Sequence, residues 1–257
     1  MSAWLPCPYS ADYCFDSELV RTHWNRLHAL DAEPLPDHPA VLHAWALFHN
    51  GQFESAEAAG LAAGAAGISV ANRATATYAT LLEPHEKTRL DLYQRILSRA
   101  RQAVADHPDL ASTWYWQGYA LGRYAQGIHV ARALAQGIGD QIRTTLEASL
   151  ALAPMHAFAH ATLGSFQAEI IHKVGPLVAS MTYGARAEQA LHHLRHAMQL
   201  APDSVAIHWD YANALLMIDG AAYQNDALRL QQQALQIEPR DAAERLWVEL
   251  TRTHLSL

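Results

Sequence analysis

Four prolines, Pro108, Pro154, Pro202 and Pro239, punctuate one degenerate pattern that returns at the same offsets along a chain of 257 residues. Trp114, Gln117, Gly118 and Leu121 follow the first, His160, Leu163, Gly164 and Gln167 the second, and His208, Tyr211, Ala212 and Leu215 the third. A second set stands at fixed distances ahead: Leu146 and Ser149 before Pro154, Leu194 and Ala197 before Pro202, Ala227 and Ala234 before Pro239. A large residue beside a Gly or Ala is what two antiparallel helices need where they cross closely, because the small residue lets a large neighbour rest on the backbone. A chain built this way stacks helix pairs, since no single pair has a core of its own.

The pattern resembles the tetratricopeptide repeat, a helix–turn–helix unit of about 34 residues. The resemblance implies an all-α, right-handed superhelical solenoid. The prolines do not keep that period: they stand 46, 48 and 37 residues apart. Two units therefore carry about 12 and 14 extra residues. The pattern is intact on both sides of each excess, so the extra residues lie between the two helices of a unit, at about residues 127–139 and 171–184.

Composition narrows the function classes. The abundance of Ala, Leu, Gln, Glu and Arg in the periodic stretches favours helix, and no run alternates like a strand. A net charge of −7 with 17% charged residues, and no cluster of cations, argues against nucleic acid as a partner. No stretch approaches the roughly 20 apolar residues of a membrane span. The start, Met1 to Cys7, has neither a basic nor an apolar region of a signal peptide, so a cytoplasmic location is expected. Cys7 and Cys14 read as free thiols, with a disulfide or a zinc half-site as the other options.

Along the chain, Asp16 and Ser17 cap a first helix with Leu19, Val20, Leu27 and Leu30 on its apolar side and Trp24 near its edge. Asp31 to Pro39, with three prolines, reads as a linker. A first unit carries Ala44, Leu47, Gly51, Phe53 and Ala56 at repeat-like offsets. A degenerate unit follows, with helices over about 71–82 and 85–106 broken at Pro84. After three clearer units, Asp241 and Glu244 form a capping box before a last helix that shields the end of the array. The expected organisation is a segment and capping helix over 1–36, the repeat array over 37–240, and a capping helix over 241–257.

Catalytic and metal signatures are weak. His156 and His160, like His192 and His196, stand four apart, the spacing of two metal ligands on one helical face, but no carboxylate recurs at a useful offset. His85-Glu86 opens like a zinc-protease helix, yet Arg89 occupies the position of the second His. Gly137-Ile-Gly139 lacks the third glycine of a dinucleotide loop. No phosphate-cradling loop or nucleophile elbow is present. The chain is expected to be no enzyme and to carry neither cofactor nor metal.

In tetratricopeptide arrays the first helix of each unit lines the concave groove. Carried over by offset, that geometry places Ser112, Tyr115, Tyr119 and Arg123 on the groove from one unit, Phe158, Ala161, Ser165 and Glu169 from the next, and Ala206, Trp209, Asn213 and Met217 from the third. From these come the candidate partner-binding residues Tyr115, Tyr119, Arg123, Phe158, Ser165, Glu169, Trp209, Asn213 and Met217. Tyr and Trp are typical interface anchors; the other reading is that they cover the insertions or a terminal helix. Arg123 and Glu169 share an offset in adjacent units, which makes an inter-repeat ion pair the plain expectation.

The insertions are too apolar for solvated loops: Ile128, Val130, Leu134, Leu177, Val178, Met181 and Tyr183 call for burial, either on a neighbouring helix or over one end of the groove as a pocket. At Leu163-Gly164, Lys173-Val174, Ala179, Tyr183-Gly184, Ala190-Leu191 and Pro202 the chain is similar to the regulator of microtubule dynamics family, with the run 128–154 as its preceding unit. The resemblance implies a similar arrangement to the T-component of TRAP transporters. The expected function is a scaffold that binds a protein or peptide in its concave groove. The alternative is a carrier of an apolar small molecule in a pocket made by residues 127–139 and 171–184.

Overall fold

The structure, a computed structural model, describes residues 4–256 and the side chains of all of these except Val130, Ala131 and Leu134. Among the described residues it is all helix, with no strand. Two short helices open the chain, α1 (Ser17–Thr22) and α2 (Trp24–Leu27). Antiparallel pairs follow: α3 (Pro39–His49) with α4 (Phe53–Ala62), α5 (Ile68–Leu81) with α6 (Glu86–Asp106), and α7 (Ala111–Gln126) with α9 (Ile138–Leu152), α8 (Val130–Ala135) lying between the last two. Next, α10 (Ala157–Val174) pairs with α12 (Ala187–Leu200) across α11 (Pro176–Tyr183). The fifth pair is the two halves of α13 (Val205–Ala234), which breaks at Asp219, and α14 (Ala242–Leu255) closes the chain. Asp219 caps the second half by accepting the Ala222 N–H at 3.0 Å.

The repeated Gly is a contact point. A Cβ on Gly118 would lie 2.7 Å from Leu146, and a Cβ on Gly164 would lie 2.7 Å from Leu194, so the second helix of each unit rests a leucine on the first helix's backbone. Both leucines are fully buried, each contributing about 1.5–3 kcal/mol. The same offset does the same packing in both units, as the sequence pattern requires.

The segment expected to be a linker is instead anchored to the core by its first residues, while Leu35, Asp37 and His38 stay exposed. After α2 the chain runs as a strap, residues 28–38, across the first helices of the units. Trp24 and His28 pack on Trp45 of α3. Leu30 is buried among Ala157, Ala161 and Ile207 of α10 and α13, and its carbonyl accepts the Phe158 N–H at 3.1 Å, satisfying a donor at the start of α10. Asp31 is buried in an ion pair with Arg73 of α5, and Glu33 takes a hydrogen bond from Ser69 Oγ at 2.7 Å. The single helix expected from Asp16 is split at His23; Asp16 does cap it, accepting the Leu19 N–H. Trp24, expected at its edge, is core, while Leu19 is exposed.

The strap works with α14 to join the two ends of the array. Asp241, the cap of α14, accepts the Glu244 N–H at 2.8 Å and bonds His49 Nδ1 at 2.7 Å, a contact spanning 192 residues. Cys7, free and buried, sits beside Gly51 and Ala242, and Arg240 donates to the Arg26 carbonyl. The α14 helix therefore packs on α3 and α5 as well as on α13. The array is a closed ring segment rather than an open crescent.

The first insertion buries Ile138 and half-buries Ile128 against the core, and the second takes the opposite course. Tyr183 packs on Gly139, so the two inserted segments touch, and Ala179 is buried. Leu177, Val178 and Met181, expected to be buried, are 70%, 47% and 80% exposed. Val174 extends α10 beyond the expected start of the insertion, so α11 stands off as a short helix with only one face covered. The expected burial of Val130 and Leu134 lies outside the described side chains.

Candidate functional site

The first helices of the units, with α14, enclose a cleft on the concave side. Tyr115, Tyr119, Arg123 and Phe158 line its inner part with Thr80, Arg73 and Trp247, and it holds about 810 Å³, counting the space open at its mouth. A second hollow of about 640 Å³ continues from it, sharing Tyr119, Arg123, Thr162 and Asp210. Its walls include Ser165, Glu169, Trp209, Asn213 and Met217. The nine candidate residues thus fall along one trough. They do so because 46 and 48 residues separate equivalent positions, so a single helical face is repeated three times.

Their environments differ. Tyr115 is buried and packs at a tilt against His156, ring centroids 4.6 Å apart, so it serves the wall more than the surface. Tyr119 is half-buried; its hydroxyl meets Thr80 Oγ1 at 3.0 Å, and the same Thr80 oxygen meets Tyr93 at 3.0 Å. Trp209 is partly covered by the last helix, with Trp247 at 6.3 Å and His254 at 5.2 Å between ring centroids. Phe158 lies under the Arg73 guanidinium at 5.6 Å. The reading that some of these aromatics cover a terminal helix is met at Trp209.

The expected Arg123–Glu169 ion pair does not form. Lys173, one turn along α10, takes Glu169 at 2.6 Å, and Gln126 donates to its other oxygen at 2.7 Å. Gln126 in turn meets Arg123 at 3.4 Å. The short reach along one helix outcompetes the reach between units. Arg123 is left over the Tyr119 ring, 5.2 Å from its centroid, without a carboxylate in contact. Asp210 shares the trough; burial pushes its carboxyl above the usual range and Arg123 pulls it back. Among the described residues no hydrogen bond or contact ion pair reaches Asp210, and Ser165 Oγ is buried without a partner. Opposite charges and a bare hydroxyl therefore share one wall of the trough.

Behind the inner end stands a buried chain of polar groups. Arg73 pairs with Asp31, Asp31 with His28 Nδ1 at 3.1 Å, His28 Nε2 with His49 Nε2 at 3.4 Å, and His49 with Asp241. Burial, with His49 and Arg73 nearby, holds the His28 imidazole well below its usual pKa. Burial alone would raise the Asp241 carboxyl, but His49, the Glu244 N–H and nearby Arg73 together outweigh it and hold the carboxyl below its usual range. One of the two facing Nε2 atoms must carry the proton between them. The chain ties strap, array and last helix together, which is a structural use.

The histidine pairs do not make metal sites. His156 is the cap of α10, its Nδ1 accepting the Ala159 N–H at 3.2 Å, so it does not share a helical face with His160. His160 meets His193 Nδ1 at 2.9 Å and gives its other nitrogen to the Pro154 carbonyl at 3.0 Å. Among the described residues no group of three or more His, Cys, Asp or Glu is arranged to hold a metal. No helix among them is long and apolar enough to cross a membrane.

A further row lines the trough beside the nine candidates. Trp116, Thr162 and Asp210 stand at one equivalent position in three units, one residue beyond Tyr115, Ala161 and Trp209, and all three line the trough. A buried helical stripe is at least about 100° wide, so two adjacent rows face a strongly curved concave side. The signal was present in the same spacing.

No known family pattern matches the chain, and no curated protein matches it in sequence. Its fold is similar to that of a solved thermophilic TPR protein from Thermus thermophilus, at a TM-score of 0.58 and 17% identity, covering 85% of this chain and 98% of that one. The likeness covers most of the chain, which accordingly has the fold of a tetratricopeptide-type helical solenoid.

Proposed function

We propose that the chain is a non-catalytic helical-repeat scaffold that binds a short protein or peptide segment in the concave trough, as a cytoplasmic protein with no nucleic-acid partner. The observation that carries this reading is the pair Arg123 and Asp210, both facing the trough and neither in contact with an opposite charge. A peptide unit has one N–H and one C=O; it donates to Asp210 and accepts from Arg123. Ser165 Oγ supplies a third polar contact. Tyr119, Trp209 and Met217 offer apolar area on either side. Because α14 and the strap close the ring, the trough suits a few residues rather than a long extended partner.

Residues 37–240 act as the scaffold in this reading, with 1–36 and 241–257 as the segments that close it. The run from Leu163-Gly164 to Tyr183-Gly184, with its inserted helix, supports placement in the regulator of microtubule dynamics-like branch, as an architecture. Selection of displayed random peptides on the purified protein tests the function. The expected result is a set of peptides whose binding falls at least tenfold in Arg123→Ala, Asp210→Asn and Trp209→Ala, with far-UV circular dichroism unchanged. Equal binding by the folded variants overturns it.

A further inference from the structure

A separate cleft lies at the edge of the array beneath the strap. Its walls are apolar, with Leu35, Val41, Ile68, Leu110 and Trp116 among them, and it holds about 1240 Å³, counting the space open at its mouth. One spot in it is polar. The Glu33 carboxyl takes hydrogen bonds from Ser69 and Ser112, and Ser69 Oγ is itself held by Trp116 Nε1 at 3.2 Å. Asn72, one turn along α5 from Ser69, lines the same cleft; it is 1% exposed and its Oδ1 has no hydrogen-bond partner.

No cation acts on Glu33. Burial pushes its carboxyl up to about 7 against the pull of the two serine hydroxyls, and no basic side chain contributes. The other titratable groups of the cleft are Asp37 and His38 at the end of the strap and His107 after α6, all at its exposed rim. Two acceptors, one of them a carboxylate, thus belong to residues that line an apolar space and have between them no donor from the protein except the two serines. A buried carboxylate is normally paired.

We propose that this cleft binds an amphiphilic ammonium compound, whose cationic head seats on the Glu33 carboxylate and Asn72 Oδ1 and whose apolar tail lies along Leu35, Val41, Ile68 and Leu110. An ammonium has three donors and no acceptor, which matches a carboxylate beside an amide oxygen that lacks a partner. An alcohol of the same length brings one donor and no charge. A carboxylate meets like charge at Glu33. This site is separate from the trough, with which it shares the Trp116 wall, and lies away from the insertions.

The test is a calorimetric titration of the full chain with n-octylammonium at pH 8, beside n-octanol and octanoate. Saturable binding of the ammonium, with octanol at least tenfold weaker and octanoate silent, is expected. Glu33→Gln should lose at least tenfold. Moving wild type to pH 6 should weaken binding about tenfold, because a carboxyl titrating near 7 is then mostly protonated. Leu35→Ser, on the exposed rim, should lose several-fold and serves if Glu33→Gln does not fold. Absence of octylammonium binding, equal binding of octanol or octanoate, or unchanged affinity in Leu35→Ser or in folded Glu33→Gln overturns the proposal.

Discussion

The strap and α11 are both short departures from the helix-pair array, and they are held very differently. Along the strap and α2, Trp24, His28, Leu30, Asp31 and Glu33 reach α3, α5, α10 and α13 in turn. Along α11 only Ala179 is buried, against the neighbouring residues Ile171 and Ala185. The strap's partners are far away in sequence and come together only when the ring closes. Those of α11 are Ile171 and Ala185 of its own unit and, through Tyr183, Gly139 of the adjacent unit, and would be the same in an open array. Between these two segments, burial follows from closure, not from how apolar the segment is.

The largest expected effect that tests this contrast is at Asp31. Asp31→Ala leaves Arg73 buried without its partner, and denaturant unfolding should show a loss of about 3–5 kcal/mol. A loss under about 1 kcal/mol, as for an exposed pair, would mean that the strap is not part of the core.

A pH series sharpens the comparison, because the strap and its neighbours titrate. His28 lies below its usual value of 6.5 and His156 is pushed down to about 3, both mainly by burial. Below 6.5 the unfolded chain takes up protons that the folded chain refuses, so stability should fall as pH drops through 6.5 toward 4. Glu33 acts in the opposite sense: held up to about 7 from 4.5, it keeps its proton in the folded chain, and that contribution is lost as pH rises through 7. Glu33→Gln should therefore steepen the acid limb, as read from urea midpoints between pH 7 and 5. A limb no steeper than wild type would show that Glu33 is not buried as described.

The smallest effect belongs to α11. Met181→Ser removes an exposed side chain and should change stability by less than about 0.5 kcal/mol. A loss above about 1 kcal/mol would place Met181 against a surface within the protein.

Much of this was legible in the spacing of the prolines. Gly118 with Leu146 and Gly164 with Leu194 are direct consequences of the repeated offsets, and the nine trough residues fall together because a fixed spacing repeats a fixed face. The strap was not legible, because its residues follow no period and three prolines among polar residues look like a linker. Nothing local marks Asp31 as the partner of Arg73, 42 residues on. The Lys173–Glu169 pair was hidden for a different reason: an i, i+4 neighbour on α10 preceded the longer reach to Arg123. The exposure of α11 reversed an inference from composition alone, since apolar content signals burial only where a neighbour exists to cover it.

Native-state hydrogen exchange over residues 24–33 tests closure most directly. Amides of this segment, Glu33 N–H to Asp31 included, should exchange as slowly as those of α3 and α5, through global unfolding rather than local opening. Exchange at the rate of an exposed loop, while α3 and α5 remain protected, would contradict the closed ring.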